Sequence, residues 1–218
     1  MNIILNIHYS YALLPTMSTH AEKPAETDTA SQILDAAEER FRTYGYNKTT
    51  MAEIATDVGM STANLYRYFR NKLEIAADCA KNCLNKRAEL LKAVVDQQNV
   101  SAADKLEQFF LAIARHTYTE AKDNIKINEL IAHIITERQD IVKLKNQHEL
   151  AYIAEILAQG NTQGEFDVND VIATAEVVHV SLALFQTPLF MGLYDLETFE
   201  SLATRSARLL ICGLKQHS

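Results

Sequence analysis

No proline interrupts the chain between Pro24 and Pro188, and within that stretch glycine occurs only at positions 45, 59, 160 and 164. Proline breaks helix interiors, and most all-β chains need frequent Gly/Pro turns, so this distribution points to an all-α fold. Apolar residues make up 48% and charged residues 22% of the 218. That is an ordinary balance for a globular chain able to bury one or two cores.

The local signals divide the chain into about nine helices. Thr29, with Gln32 three residues on, is expected to cap a first helix over 30–44 whose apolar residues are Ile33, Ala37, Phe41 and Tyr44, and Gly45 supplies a left-handed stop. Thr50 and Glu53 spell a capping box for a short second helix carrying Met51, Ile54, Ala55 and Val58 up to Gly59. A third short helix follows Ser61 and holds Leu65 and Phe69 one turn apart. Asn71 and Glu74 open a fourth that runs to about Gln98. Longer helices are expected over 102–122, 125–137, 140–159, 169–191 and 196–214, with Ser101, Asn124, Asn169 and Asp195 as N-caps and a loop at Gly160 and Gly164. Residues 1–28 read as a disordered or mis-annotated leader, with Met17 as the natural start.

The net charge is −7, but it is unevenly spread. Ser31 to Lys92 holds ten Lys/Arg against eight Asp/Glu, whereas Ala93 to Ser218 holds ten against seventeen. The N-terminal part is therefore compatible with nucleic acid, which responds to local rather than whole-chain charge. Three cysteines are too few and too odd in number for a disulfide framework, and the first sixteen residues lack the basic start of a secretory signal. A cytoplasmic location is expected. The charge-free run Val177–Tyr194 contains His179, Gln186, Thr187 and Pro188, so it reads as a buried helix and no membrane contact is expected. Phosphate-binding loops, HExxH, GxSxG and paired carboxylates do not appear, so no catalytic residue, cofactor or enzyme activity is assigned. Cys79 and Cys83, one turn apart, lack companion ligands for zinc; they read as small buried apolar residues, and no metal is expected.

Three short helices with only a few residues between the second and third make a helix-turn-helix arrangement. Ile54, Ala55 and Val58 would face a core with Phe41 and Leu65, and Gly59 suits the positive φ of the turn. That leaves Thr62, Ala63, Asn64, Tyr66, Arg67 and Tyr68 for the groove-facing surface. Residues 31–76 resemble the DNA-binding domain of the TetR family. The resemblance rests on Ala36-Ala37, Phe41, Gly45-Tyr46, Thr49-Thr50-Met51, Glu53-Ile54-Ala55, Gly59-Met60-Ser61, Asn64-Leu65-Tyr66, Tyr68-Phe69 and Lys72, and covers about a fifth of the chain.

The resemblance implies a helix-turn-helix domain over 29–76 and a helical domain over 77–218 that dimerises and binds an effector. It implies that Thr50 and the second helix's N-terminus hold one phosphate, that Asn64, Tyr66, Tyr68 and Lys72 hold others, and that Thr62, Ala63 and Arg67 read bases. With Thr49 and Ser61 these make the expected DNA-binding set. The partner is then double-stranded DNA with a near-palindromic operator, bound by a homodimer joined through its last two helices. The apolar helix at 169–191 and the alternation of large and small residues in the last helix suit that interface. Phe109, Ile113, His116, His133, His148, Tyr152, His179 and Phe185 are the candidates to line a pocket for a small apolar or amphipathic ligand. The expected function is a transcriptional repressor released by that ligand; the alternative is a DNA-binding protein of the same fold without a small-molecule effector.

Overall fold

The computed structural model describes residues 24–121 and 126–215. Among them are ten α-helices and no strand: α1 Pro24–Tyr44, α2 Met51–Asp57, α3 Thr62–Tyr68, α4 Lys72–Val95, α5 Ala102–Ala121, α6 Ile127–Glu137, α7 Gln139–Gln163, α8 Val171–Ser181, α9 Ala183–Gln186 and α10 Leu196–Leu214. No described helix is long and apolar enough to cross a membrane.

α1, α2 and α3 close around Ile33, Ala37, Phe41, Ile54, Ala55 and Leu65, all buried. Short helices cannot stand alone, so their ends matter as much as their core. At α2 the capping box is complete: the Glu53 amide donates to Thr50 Oγ1 (3.3 Å) and the Thr50 amide donates to Glu53 Oε2 (2.8 Å). Ser61 and Asn71 accept from the amides of Asn64 and Glu74 and so start α3 and α4. Gly45 at φ +90 and Gly59 at φ +66 make the two turns that a β-carbon would strain. Arg40 pins α1 to α2 through Asp57 and Glu53.

The rest is a second core in which α5 packs on α10 and α7 on α8, around Leu106, Phe109, Phe110, Ile113, Ile153, Leu157, Phe185, Phe199 and Ala203. α4 runs between the two cores. Its Ile75, Ala76 and Cys79 belong to the first, and its Leu91, Val94 and Val95 to the second. α6 and the start of α7 lay Leu130, Ile134 and Ile141 against the first core.

Several boundaries differ from those the sequence suggests. α1 begins at Pro24, whose fixed φ suits a first helical position, so Thr29 lies inside the helix and Gln32 donates to Asp28 (3.3 Å). Tyr44 is exposed, with the Arg40 guanidinium 5.4 Å over its ring, instead of joining the core. α7 continues through Gly160 to Gln163, and only Gly164, at φ +73, ends it. Gly160 is a packing glycine: a β-carbon there would lie 2.1 Å from the Phe166 ring. The expected helix over 169–191 is capped by Asp170 instead of Asn169 and breaks at Leu182; α9 and a 3-10 turn, Pro188–Phe190, follow. α8 was expected to be buried all round. In the single chain Ile172, Val177 and Val180 of α8, with Leu209 of α10, are exposed. Residues 24–28, read from the sequence as the end of the 1–28 leader, belong to α1, whereas Met17, the rest of that leader and the cap at Asn124 lie outside the described residues.

Candidate functional site

The surface expected to meet nucleic acid is α3 with the ends of the helices around it. Ser61, Ala63, Tyr66 and Arg67 are exposed, and Thr62, Asn64 and Tyr68 are half-buried on the same short helix. Leu65 is fully buried beneath them, which fixes the helix by its inner face and leaves the outer face toward solvent. Thr50 is exposed at the start of α2, but its amide already donates to Glu53 Oε2, so one of the free N–H groups expected there is spent within the chain.

Two members of the expected set face inward. Thr49 is 1% exposed and its hydroxyl donates to the Gly45 carbonyl at 2.9 Å. The Lys72 ammonium donates to the carbonyls of Tyr46 (2.6 Å) and Thr49 (2.7 Å) and lies 4.3 Å over the Tyr46 ring. Burial lowers its pKa, against the opposing pull of Glu129 and Glu53. Both side chains shape the loop between α1 and α2, so neither is presented freely to a phosphate.

That loop is also held from the other side. Glu129 Oε2 accepts the Asn47 amide (3.2 Å), and His133 Nε2–H donates to Asn47 Oδ1 (2.9 Å) while its ring lies 4.4 Å from that of Tyr46. Arg42 reaches the Glu120 carboxylate at the end of α5, and Lys126 donates to the Thr43 carbonyl. His133, expected in an interior pocket, is thus part of the joint between α6 and the N-terminal unit.

The interior holds a different constellation. A cavity with a volume of about 10 Å³, room for about one water, is lined by Leu84, Arg87, Ala88, Leu91, Lys145, His148, Glu149 and Tyr152. Arg87 of α4 and Glu149 of α7 are buried with Arg87 Nη2 3.0 Å from Glu149 Oε1. Lys145 Nζ lies 3.2 Å from Glu149 Oε2 and donates to Gln186 Oε1 at 2.6 Å. His179 Nε2–H donates to Glu149 Oε2 at 2.9 Å. Burial works to raise the Glu149 carboxyl, but Arg87, His179 and Lys145 together hold it below the usual carboxylate range.

Of the eight expected lining residues, His148 and Tyr152 reach this cavity, and His179 stands behind it through Glu149. Phe109, Ile113 and Phe185 are packed core, with the Phe185 ring edge-on to Phe110 and Phe199. His116 is half-buried with Nε2 3.8 Å from Cys83 Sγ. Burial pushes the Cys83 thiol up to about 11 and Cys79 higher still, so neither is a ready thiolate. Among the described residues no group of His, Cys, Asp and Glu is arranged to hold a metal. Sequence reasoning missed Arg87, Lys145 and Glu149. Their signal was a basic residue on α4 and a Lys/Glu pair four apart on α7, indistinguishable in sequence from a solvated face.

Residues 33–79 match the family described as bacterial regulatory proteins, tetR family, and residues 102–204 match the tetracyclin repressor-like C-terminal domain. The HTH-type transcriptional regulator TtgR of Pseudomonas putida is 24% identical over 155 residues, covering 66% of this chain and 73% of its own length. A transcriptional regulator from Cytophaga hutchinsonii, known as a crystal structure, superposes with a TM-score of 0.68 over 85% of this chain and 98% of its own, at 24% identity. A complex of SmeT with triclosan has the same fold, with a TM-score of 0.61, 18% identity and coverage of 88% and 93%.

Proposed function

The chain belongs to the TetR family of DNA-binding transcriptional regulators, a family of regulators rather than enzymes, and on that footing we propose that it is a homodimeric repressor released from its operator by a small amphipathic ligand. The observation that carries this reading is the continuity of α4. At its first residue Lys72 ties down the loop between α1 and α2; fifteen residues on, Arg87 lines the interior cavity. At 1.5 Å per residue the two ends of that lever are about 22 Å apart. A ligand that widens the cavity must shift α4 or α7, and α6 then carries the same movement to the loop through Glu129 and His133. The ligand acts by binding the released state better than the DNA-bound one, and its power is limited by that difference. That a protein of the same fold forms a complex with triclosan supports an apolar or amphipathic ligand class.

For the DNA contact, Thr50, Ser61, Asn64, Tyr66 and Tyr68 would hold phosphates and Thr62, Ala63 and Arg67 would face base edges in the major groove. Thr49 and Lys72 would act through the loop they shape. Ile172, Val177, Val180 and Leu209, exposed by 58–76%, form the apolar surface of α8 and α10 that a twofold partner would cover. Two copies would then read a near-palindromic site.

The test is a fluorescence-anisotropy titration of the full chain against duplexes tiled across the DNA flanking its own gene, with sedimentation in parallel. A dimer that selects one near-palindromic duplex, and loses it when an amphipathic compound also raises its melting temperature, supports the proposal. A monomer with no preference among duplexes overturns it. The small cavity volume favours the effector-free reading instead, and that reading wins if DNA affinity ignores every compound that stabilises the protein.

A further inference from the structure

The charges around the cavity do not balance. Arg87 and Lys145 are both cations, and Glu149 is the one carboxylate among the described residues that line the cavity with them. Arg87 is 6% exposed, and neither its Nε nor its Nη2 has a hydrogen-bond partner among the described residues; Nη2 lies at ion-pair distance from Glu149 Oε1 but off hydrogen-bonding alignment. Glu149 Oε1 is likewise without a hydrogen bond. A buried guanidinium normally finds a partner for each N–H, because leaving one unmet in a low-dielectric interior is costly. Arg87 also lines the cavity.

Resting on the effector reading above, we propose that this cavity takes an acidic ligand: a single carboxylate on an apolar body, with the carboxylate seated on Arg87 Nε and Nη2 and on Lys145. A planar fork of N–H donors suits a carboxylate's two oxygens. One acid supplies the one negative charge that the two cations lack. Leu84, Ala88, Leu91 and the Tyr152 ring give the apolar body its surface. In the present structure the Glu149 carboxylate occupies part of the place the ligand's own would take. Entry therefore displaces Glu149 from Arg87 and leaves it held by His179, which donates to its other oxygen. That exchange moves α7 relative to α4, and so couples the charge of the ligand to the lever described above.

The experiment uses the full-length protein and two matched probe sets: octanoate, 1-octanol and octyltrimethylammonium; and benzoate, benzyl alcohol and benzyltrimethylammonium. Binding is read by calorimetry and melting temperature, and DNA affinity by anisotropy in the same samples. The expected result is that at least one acid binds about tenfold or more tightly than its neutral and cationic partners. In Arg87→Met/Lys145→Met/Glu149→Gln, which removes the buried pair and the second cation together and leaves the cavity without a charged group from these three residues, that preference is expected to vanish. Lys145→Met is expected to weaken the acid while leaving the alcohol unchanged. An alcohol or ammonium that binds as well as its acid overturns the proposal; so does an acid whose binding ignores both variants. If such a neutral or cationic probe also lowers DNA affinity, the effector reading survives and only the acidic class is lost. If no probe of either set binds, the acidic class falls, and the effector reading then depends on the tiled-DNA experiment alone.

Discussion

Lys72→Met separates two roles that one lysine at the head of α4 can play. The ammonium donates to the Tyr46 and Thr49 carbonyls at 2.6 and 2.7 Å, and the side chain is half-buried over the Tyr46 ring. A hydrogen bond involving a charged group contributes about 1.5–3 kcal/mol when well shielded, and an exposed cation–π contact about 0.5–1 kcal/mol. Because the site is partly open, the carbonyls of the variant regain water, so the expected loss is about 2 kcal/mol rather than the sum. For a chain of this size that lowers the melting temperature by about 4–8 °C. Methionine keeps the stem and removes only the charge. The companion assay is the salt dependence of binding to non-specific duplex DNA, which needs no operator because phosphate contacts are indifferent to sequence. A lysine seated on a phosphate adds about 0.9 to the magnitude of the slope of log K against log salt. Here the ammonium is committed to the loop, so affinity is expected to fall with the slope nearly unchanged. A variant with an unchanged melting temperature and a slope reduced by about 0.9 would refute this reasoning, and would return Lys72 to the phosphate backbone.

Val180→Asp with Leu209→Asp, on surfaces exposed by 70% and 76%, is expected to leave the monomer folded and to convert the dimer to monomer by sedimentation; an unchanged dimer would place the interface elsewhere. Arg67→Ala should cost about 1–3 kcal/mol of operator affinity at one base pair and leave non-specific binding nearly intact, so a uniform loss across base substitutions would count against base reading. Glu149 has a carboxyl held below its ordinary value, so its contribution to stability is present above an unfolded pKa of about 4.3 and is lost as pH falls through the lower folded value. Glu149→Gln should be less stable at neutral pH, yet show a shallower loss below about pH 4.3 in urea titrations; an equally steep acid limb would remove Glu149 from that account.

What the sequence disclosed follows from how far each interaction reaches along the chain. The capping box at Thr50 and Glu53 and the caps at Ser61, Asn71 and Asp195 join residues three apart, and each forms as the local spacing predicts. The burial of Ile33, Ala37, Phe41 and Leu65 follows from helical periodicity alone. Gly160 misleads because its partner, Phe166, arrives only after the chain has turned at Gly164. The break at Leu182 has no proline or glycine to mark it. The Arg87–Glu149–Lys145–His179 group gathers three helices, and no spacing rule joins α4 to α7 and α8. Lys72 was misleading in direction instead of identity. A basic residue at a helix start beside a helix-turn-helix looks outward until the loop carbonyls behind it are seen.

The joint around Asn47 bears on how such a protein can be re-engineered. A recombinant hybrid that takes its DNA-recognition module from this chain and its sensing module from a relative is naturally spliced at the start of α4, near residue 76. That splice keeps Lys72 with the loop it holds, but it parts Asn47 from Glu129 and His133, and Arg42 from Glu120. The graft would fold as two sound halves with a loose coupling, and would bind DNA while ignoring its inducer. Transplanting Glu120, Glu129 and His133 together with residues 29–76 supplies the missing half of the joint, so the portable unit is a set of residues scattered over nearly half of the chain rather than a continuous stretch of it.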